Sequence, residues 1–226
     1  MNEPATAITD LLLAIECGVL ALVAGATATE KHPLRGSTVL LFWSLAVAAL
    51  LGFITHAFIP NHSTRIFAVL WRTLLLSIAV AGAATCAAAG MMWASLRVQR
   101  ASVQVSGIAL LALGTVIVVN AGGWAEGYEI ALISYGPAML WMLFSFSAAF
   151  WTGRPGRPVA GAIGVLLSFA AAVAQQSSWR VGPLDHNALY HMIQAVALIL
   201  IFVALRAAMA TAASQTARSA VHTRTI

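Results

Sequence analysis

Residues 38–59 read TVLLFWSLAVAALLGFITHAFI, and His56 is the only ionisable side chain among them. A helix that crosses a bilayer needs about 20 mostly apolar residues, so this stretch predicts a membrane span. Six further stretches have the same character: 7–29, 66–95, 105–121, 130–151, 159–177 and 188–210. All are too uniformly apolar for the alternating strands of a membrane barrel. The sequence therefore predicts an all-α fold, a bundle of seven transmembrane helices.

The composition of the whole chain agrees with this prediction. Of 226 residues, 61% are hydrophobic and only 8% are charged, and the mean hydropathy is +0.89. A soluble domain is about half apolar and about a quarter charged. These values exclude a soluble enzyme, a disordered chain and a disulfide scaffold. The net charge of +5 comes from basic residues spread over loops and ends, so we expect no nucleic-acid partner.

The basic residues predict how the chain is oriented in the membrane. Nine of the twelve Lys and Arg residues fall in the odd-numbered loops and the C-terminal end. Because basic residues accumulate on the cytosolic side, the N-terminus is expected outside and the C-terminus in the cytosol. We expect one membrane domain over residues 1–211, followed by a disordered cytosolic tail over 212–226. The predicted location is a bacterial inner membrane.

The few remaining polar residues gather, in this topology, at the outer ends of the helices. They are Glu16, His56, Arg72, Asn120, Glu126, Asp185, His186, Asn187 and His191. An ionisable group at the bilayer centre costs about 2.5–3.5 kcal/mol on insertion scales, so such groups often have a function. A site facing the periplasm is therefore predicted. Structural roles are also open: Asp185 is placed to cap the seventh helix, and Glu16 to pair with Arg72.

Histidine spacing suggests a metal. Asn187 and His191 are four residues apart and share one helix face. His186 lies about 140° from His191 on a regular helix, so it joins the same site only from the helix cap. His56 and His191 would supply two ligands, and a catalytic zinc takes three. His186, Asn187, Asp185 and Glu126 are the candidates for the third.

The stretch GPLDHNALYH, residues 182–191, carries a resemblance. It is similar to the start of the seventh helix in the CREST superfamily, which includes alkaline ceramidases, progestin/adipoQ-type receptors and GPI-remodelling proteins. His56 matches the histidine that closes helix 2 there, and His191 matches the second histidine of helix 7. The resemblance implies a zinc held by three histidines, and hydrolysis of a lipid amide or ester. The chain would be a divergent, bacterial-like member.

Three positions depart from the pattern of that superfamily. Asn187 stands at the first histidine position of helix 7, with His186 displaced by one residue. Gly52 stands at the position of a serine four residues before the helix-2 histidine, and Arg72 is found early in helix 3 where an aspartate is expected.

Three functions follow as hypotheses. The first is a zinc-dependent hydrolase of a membrane lipid, with metal ligands His56, His186 and His191. In it, Asp185 or Glu126 would act as general base or orient a ligand.

The second hypothesis is a non-enzymatic receptor or ligand-binding protein, in which Glu16, Arg72, Asp185 and the histidines form a polar pocket. Asn187 is a further predicted residue of that pocket. The third is a haem electron-transfer protein with His56 and His191 as axial ligands.

Overall fold

The computed structural model describes residues 3–26, 33–93, 95–119, 128–177 and 179–224. The described chain forms seven long helices, which we number in chain order. They are α1 (Pro4–Ala26), α2 (Pro33–Phe58), α3 (Arg65–Met91), α4 (Leu96–Val119), α5 (Tyr128–Trp151), α6 (Pro158–Gln176) and α7 (His186–Arg224). Each contains a segment long and apolar enough to cross a membrane. The predicted all-α, seven-span fold is confirmed.

Helix α7 is longer than the sequence predicted. Its apolar span ends at Thr211, but the helix continues to Arg224. This segment covers most of the tail, residues 212–226, for which we expected disorder. Alanine has the highest helix propensity, and the alanines around residues 207–213 favour continuation of the helix beyond the span.

Six helices form a closed ring, and α4 lies outside it. Going round the ring, α1 packs on α2, α2 on α3, α3 on α5, α5 on α6, α6 on α7, and α7 returns to α1. Helix α4 packs mainly on α3, and its buried residues are Ser102, Ser106 and Ile117. The other faces of α4 are apolar and exposed, as expected of a surface that meets lipid.

Glycines allow the ring helices to approach closely. A Cβ added at Gly82 of α3 would lie 2.2 Å from the carbonyl oxygen of Ser134 in α5. One added at Gly164 of α6 would lie 2.7 Å from the carbonyl oxygen of Ala197 in α7. Small residues at such crossings let backbones come together, which is how membrane helices gain van der Waals contact without a hydrophobic driving force between them.

The ring brings six helix halves together in the half of the bundle that holds the N-terminus. Because consecutive spans along the chain run in opposite directions, the first turns of α1, α3, α5 and α7 lie on the same side of the bundle as the last turns of α2 and α6. The polar side chains in these turns are therefore held at a similar depth. This arrangement positions the candidate site.

Candidate functional site

A cavity of about 180 Å³ lies inside the ring, and all six ring helices contribute to its wall. Most of the wall is apolar. The polar residues that line it are Asp10, His56, Ser168, Gln175, Asn187 and Gln194, together with His191, Tyr135 and Tyr190. A mostly apolar pocket with a few converging polar groups is the usual form of a small-molecule site.

Asp10 is the carboxylate of the cavity. It lies in the second turn of α1 with only 4% of its surface exposed. Its Oδ1 is 3.2 Å from Nε2 of His191. Its carboxyl group packs on the backbone of Gly52 in α2, where an added Cβ would lie 2.9 Å from either carboxylate oxygen. Gly52 thus provides the space in which the Asp10 carboxylate sits.

His191 is held by α1 at both ring nitrogens. Nε2 faces Asp10, and Nδ1 is 3.1 Å from the hydroxyl of Thr9. Thr9 also lies within hydrogen-bond distance of the carbonyl oxygens of Ala5 and Thr6. Two adjacent residues of α1 therefore fix the orientation of the imidazole, and an ionised Asp10 requires the hydrogen on Nε2.

His56 closes α2 and lines the same cavity. Its Nδ1 is 2.7 Å from Oε2 of Glu3, the residue before α1. The Glu3 side chain is 43% exposed. This contact therefore lies at the rim, where solvent weakens an ion pair.

Asp185 performs a structural task at the start of α7. Its Oδ1 accepts a hydrogen bond from the backbone amide of Ala188 at 2.8 Å, which is the bond of an N-cap. Both carboxylate oxygens also accept from the Thr6 hydroxyl of α1. Burial alone would raise the pKa of Asp185, but these hydrogen bonds and the nearby His186 outweigh it, so the pKa lies below its ordinary value.

Asn187 and Gln175 join the ends of α7 and α6 across the cavity. The Gln175 amide nitrogen donates a hydrogen bond to the side-chain oxygen of Asn187. The Gln175 Oε1 is buried and accepts no hydrogen bond from any group that the structure describes, and the same holds for Oδ2 of Asp10. Two residues of one cavity wall therefore each carry a buried hydrogen-bond acceptor without a donor in the described protein.

Four other predicted residues are described but are not brought to this cavity. His186, Asp185, Glu16 and Arg72 do not belong to the lining that the structure describes. Trp71 contributes to the wall in place of its neighbour Arg72. Within the described chain, α1 and α3 do not pack on each other, so the helices of Glu16 and Arg72 are not neighbours. Glu126 and Asn120 lie outside the described residues.

The donors in the described part of the chain do not form a three-ligand set for zinc. Among the described residues, no three His, Cys, Asp or Glu side chains are close enough together to hold a metal ion. His191 explains part of this, since Asp10 and Thr9 face its two nitrogens. His186 begins α7 outside the described lining. An axial histidine of haem directs one ring nitrogen at the iron. Both ring nitrogens of His191 face side chains of α1, so its orientation does not suit this role.

Sequence reasoning overlooked three residues of α1, of which Asp10 is the most important. Thr6, Thr9 and Asp10 are spaced by three and four residues, which places them on one helix face. All three are buried. The signal was present, because Asp10 is an ionisable residue close to the start of an apolar segment. Gln175 and Gln194 were also overlooked.

Fold and site together define an integral membrane protein with a mostly apolar cavity, lined by a few polar groups, inside a six-helix ring. The family model of DUF6962, described as a family of unknown function, matches residues 5–210. The chain belongs to this family. No curated protein and no solved structure matches the chain significantly.

Proposed function

We propose that the protein binds a small molecule in this cavity and acts as a ligand-binding membrane protein rather than as an enzyme. The observation that carries the proposal is a pair of buried acceptors, Oδ2 of Asp10 and Oε1 of Gln175, which lack donors in the described protein and belong to two residues of the cavity wall. Leaving a buried polar group without a partner costs about 1–3 kcal/mol. A ligand that donates to both would recover that free energy on binding.

The size of the cavity limits the ligand. An apolar cavity of about 150 Å³ takes up benzene, and this one encloses about 180 Å³. The wall between Leu74, Met139 and Leu198 is apolar. A ligand of the size of a substituted benzene ring, with a polar end, matches both the volume and the lining.

Filling the cavity tests the proposal. Ala172 of α6 lines the cavity, whereas its neighbour Val173 is 60% exposed on the outer surface. We expect indole, 2-phenylethanol or phenethylamine to raise the unfolding temperature of the purified wild-type protein, because a ligand that binds only the folded state stabilises it. Ala172→Phe should abolish this shift, and the control Val173→Phe should keep it. Equal shifts in all three proteins would refute binding in the cavity.

We also propose that the cavity faces the periplasm of a bacterial inner membrane. The support is the excess of Lys and Arg in the loops on the opposite side of the bundle, which the positive-inside rule assigns to the cytosol. A ligand would then reach the site from the outer side or from the outer leaflet.

The second candidate function is a zinc-dependent hydrolase of a membrane lipid. This function would make the chain a relative of the CREST superfamily. One observation favours it: His56 and His191, which match that motif, line one cavity together with Asp10. It ranks second because the described side chains do not supply a three-donor set.

Metal analysis separates the two candidates. The protein is purified without chelators, its zinc content is measured, and it is incubated with ceramide and phospholipid substrates. About one zinc per chain, with hydrolysis lost in both His56→Ala and His191→Ala, would make the hydrolase the function. Neither zinc nor hydrolysis would eliminate it.

A further inference from the structure

We infer that the ligand of the cavity is a small amphipathic amine, whose protonated nitrogen binds at Asp10 and whose apolar part lies among the aromatic side chains of the wall. This inference rests on the proposed function and names the chemical class of the ligand. Three features of the described residues support it: the charge of the lining, the unpartnered acceptors and the aromatic groups.

The charge of the cavity favours a cation. Asp10 is the only Asp or Glu among the described lining residues, and these include no Lys or Arg. The carboxylate is nearly fully buried, and Nε2 of His191 faces only one of its two oxygens. A buried charge is costly without full compensation, so a cationic ligand would stabilise it. A carboxylate ligand would instead place two negative charges in one small cavity.

The unpartnered acceptors favour a donor with several hydrogens. Oδ2 of Asp10 and Oε1 of Gln175 each accept no hydrogen bond from the described protein. An ammonium group has three N–H donors and no acceptor, so it can donate to more than one oxygen. A hydroxyl has one hydrogen and can donate to only one of them.

The aromatic side chains complete the match. Trp71 of α3, Tyr135 of α5 and Phe169 of α6 line the cavity from three directions. An aromatic face attracts a cation, and Trp does so most strongly. The same rings form an apolar wall for the rest of an amphipathic amine.

Three probes of nearly equal size test the inference: phenethylamine, 2-phenylethanol and phenylacetate. Their affinities for the protein in lipid nanodiscs are measured by titration calorimetry, and the signal from Ala172→Phe is subtracted as partition into lipid. We expect phenethylamine to bind at least about tenfold more tightly than either of the others, since a buried charge-assisted hydrogen bond is stronger than a neutral one. An alcohol or acid that binds as tightly as the amine would overturn the inference.

Two variants locate the amine. Asp10→Asn should weaken phenethylamine binding at least about tenfold and change 2-phenylethanol binding less than about threefold, because it removes the charge and keeps the shape. The control is Glu16→Gln, which neutralises another carboxylate of α1. Glu16 is not among the described residues that line the cavity, so this variant should leave the affinities for phenethylamine and 2-phenylethanol unchanged. Equal losses for amine and alcohol in Asp10→Asn would contradict a nitrogen at Asp10.

The outcomes distinguish the inference from the function on which it rests. If no probe binds above the Ala172→Phe signal, both fail. If the alcohol or the acid binds best, the cavity is a binding site but its ligand is not an amine. If Asp10→Asn does not fold, two other measurements decide whether the ligand is an amine. One is the ranking of the three probes on the wild-type protein. The other is the variant Gln175→Leu, which should lower the affinity for phenethylamine.

Discussion

Asp10 shows how one side chain depends on residues far away in the sequence. Its carboxylate lies in an apolar helix, where its charge is unfavourable without a partner. His191 of α7 faces one oxygen, and Gly52 of α2 leaves room for the carboxyl group. Gly52 is also the position at which the CREST pattern has a serine. The glycine therefore has a physical role here, which is to admit the Asp10 carboxylate.

A methyl group at residue 52 should displace that carboxylate. We expect Gly52→Ala to destabilise the protein by about 1–3 kcal/mol, the usual cost of overpacking, because its Cβ would lie 2.9 Å from the Asp10 oxygens. Thermal unfolding in detergent measures the effect, and the cost should nearly vanish in the Asp10→Ala background. Gly36→Ala in the same helix, where a Cβ meets nothing within 4 Å, is the control. Equal effects at both glycines would argue against the contact.

Asp185 should make the stability of the folded protein depend on pH in the acidic range. Its pKa is lower in the folded protein than the ordinary value of 3.8, so the ionised carboxylate stabilises the fold. This contribution is fully present above the unfolded pKa and is lost as the pH falls through the folded pKa. We therefore expect the wild type to be more stable than Asp185→Asn near neutral pH, with the difference in unfolding temperature shrinking below pH 3.8. A difference that does not change with pH would contradict this role, and Glu129→Gln, at an exposed carboxylate, serves as control.

At the scale of elements, hydropathy predicted every helix but not their arrangement. Each span is long and apolar enough to be recognised alone. The exclusion of α4 from the ring was not predictable from span hydropathy, because the apolar segment of α4 is as apolar as that of α1. Contact between helices depends on the shape of their surfaces, and small residues at crossings such as Gly82 and Ser134 determine that shape.

The α3–α5 crossing should be sensitive to a single methyl group. A Cβ at Gly82 would lie 2.2 Å from the backbone carbonyl oxygen of Ser134, and backbone cannot move aside as a flexible side chain can. We expect Gly82→Ala to lower stability by about 2–3 kcal/mol or to prevent folding. Thermal unfolding in detergent measures the effect. The matched control is Gly114→Ala of α4, whose Cβ would lie 3.7 Å from Leu76. An unchanged unfolding temperature for Gly82→Ala would refute close contact at this crossing.

At the scale of the whole molecule, the ring separates two kinds of surface. Its outer faces carry exposed Leu, Val, Ile and Phe side chains, as a surface in lipid requires. Its interior holds the cavity and the polar groups. Polar residues in membrane helices face the interior because lipid cannot hydrogen-bond to them.

Orientation is the prediction that belongs to the whole chain. We expect green fluorescent protein fused after Ile226 to fluoresce in bacterial cells, because the C-terminus is predicted in the cytosol, where that protein folds. Alkaline phosphatase, which is active only in the periplasm, should be inactive at the same position and active when fused in the loop after His62. The reverse pattern would place the cavity on the cytosolic side.

The amino-acid sequence by itself determined the class of protein and the number of spans, because about 20 consecutive apolar residues are stable in a bilayer whatever their neighbours are. Three of the polar residues that it singled out, His56, Asn187 and His191, line one cavity. Only the tertiary structure decided which polar groups meet. Asp10 reaches His191, and Asp185 turns to Thr6, because α1 packs against α7. Contacts between residues about 180 positions apart arise from helix packing, which local hydropathy does not encode.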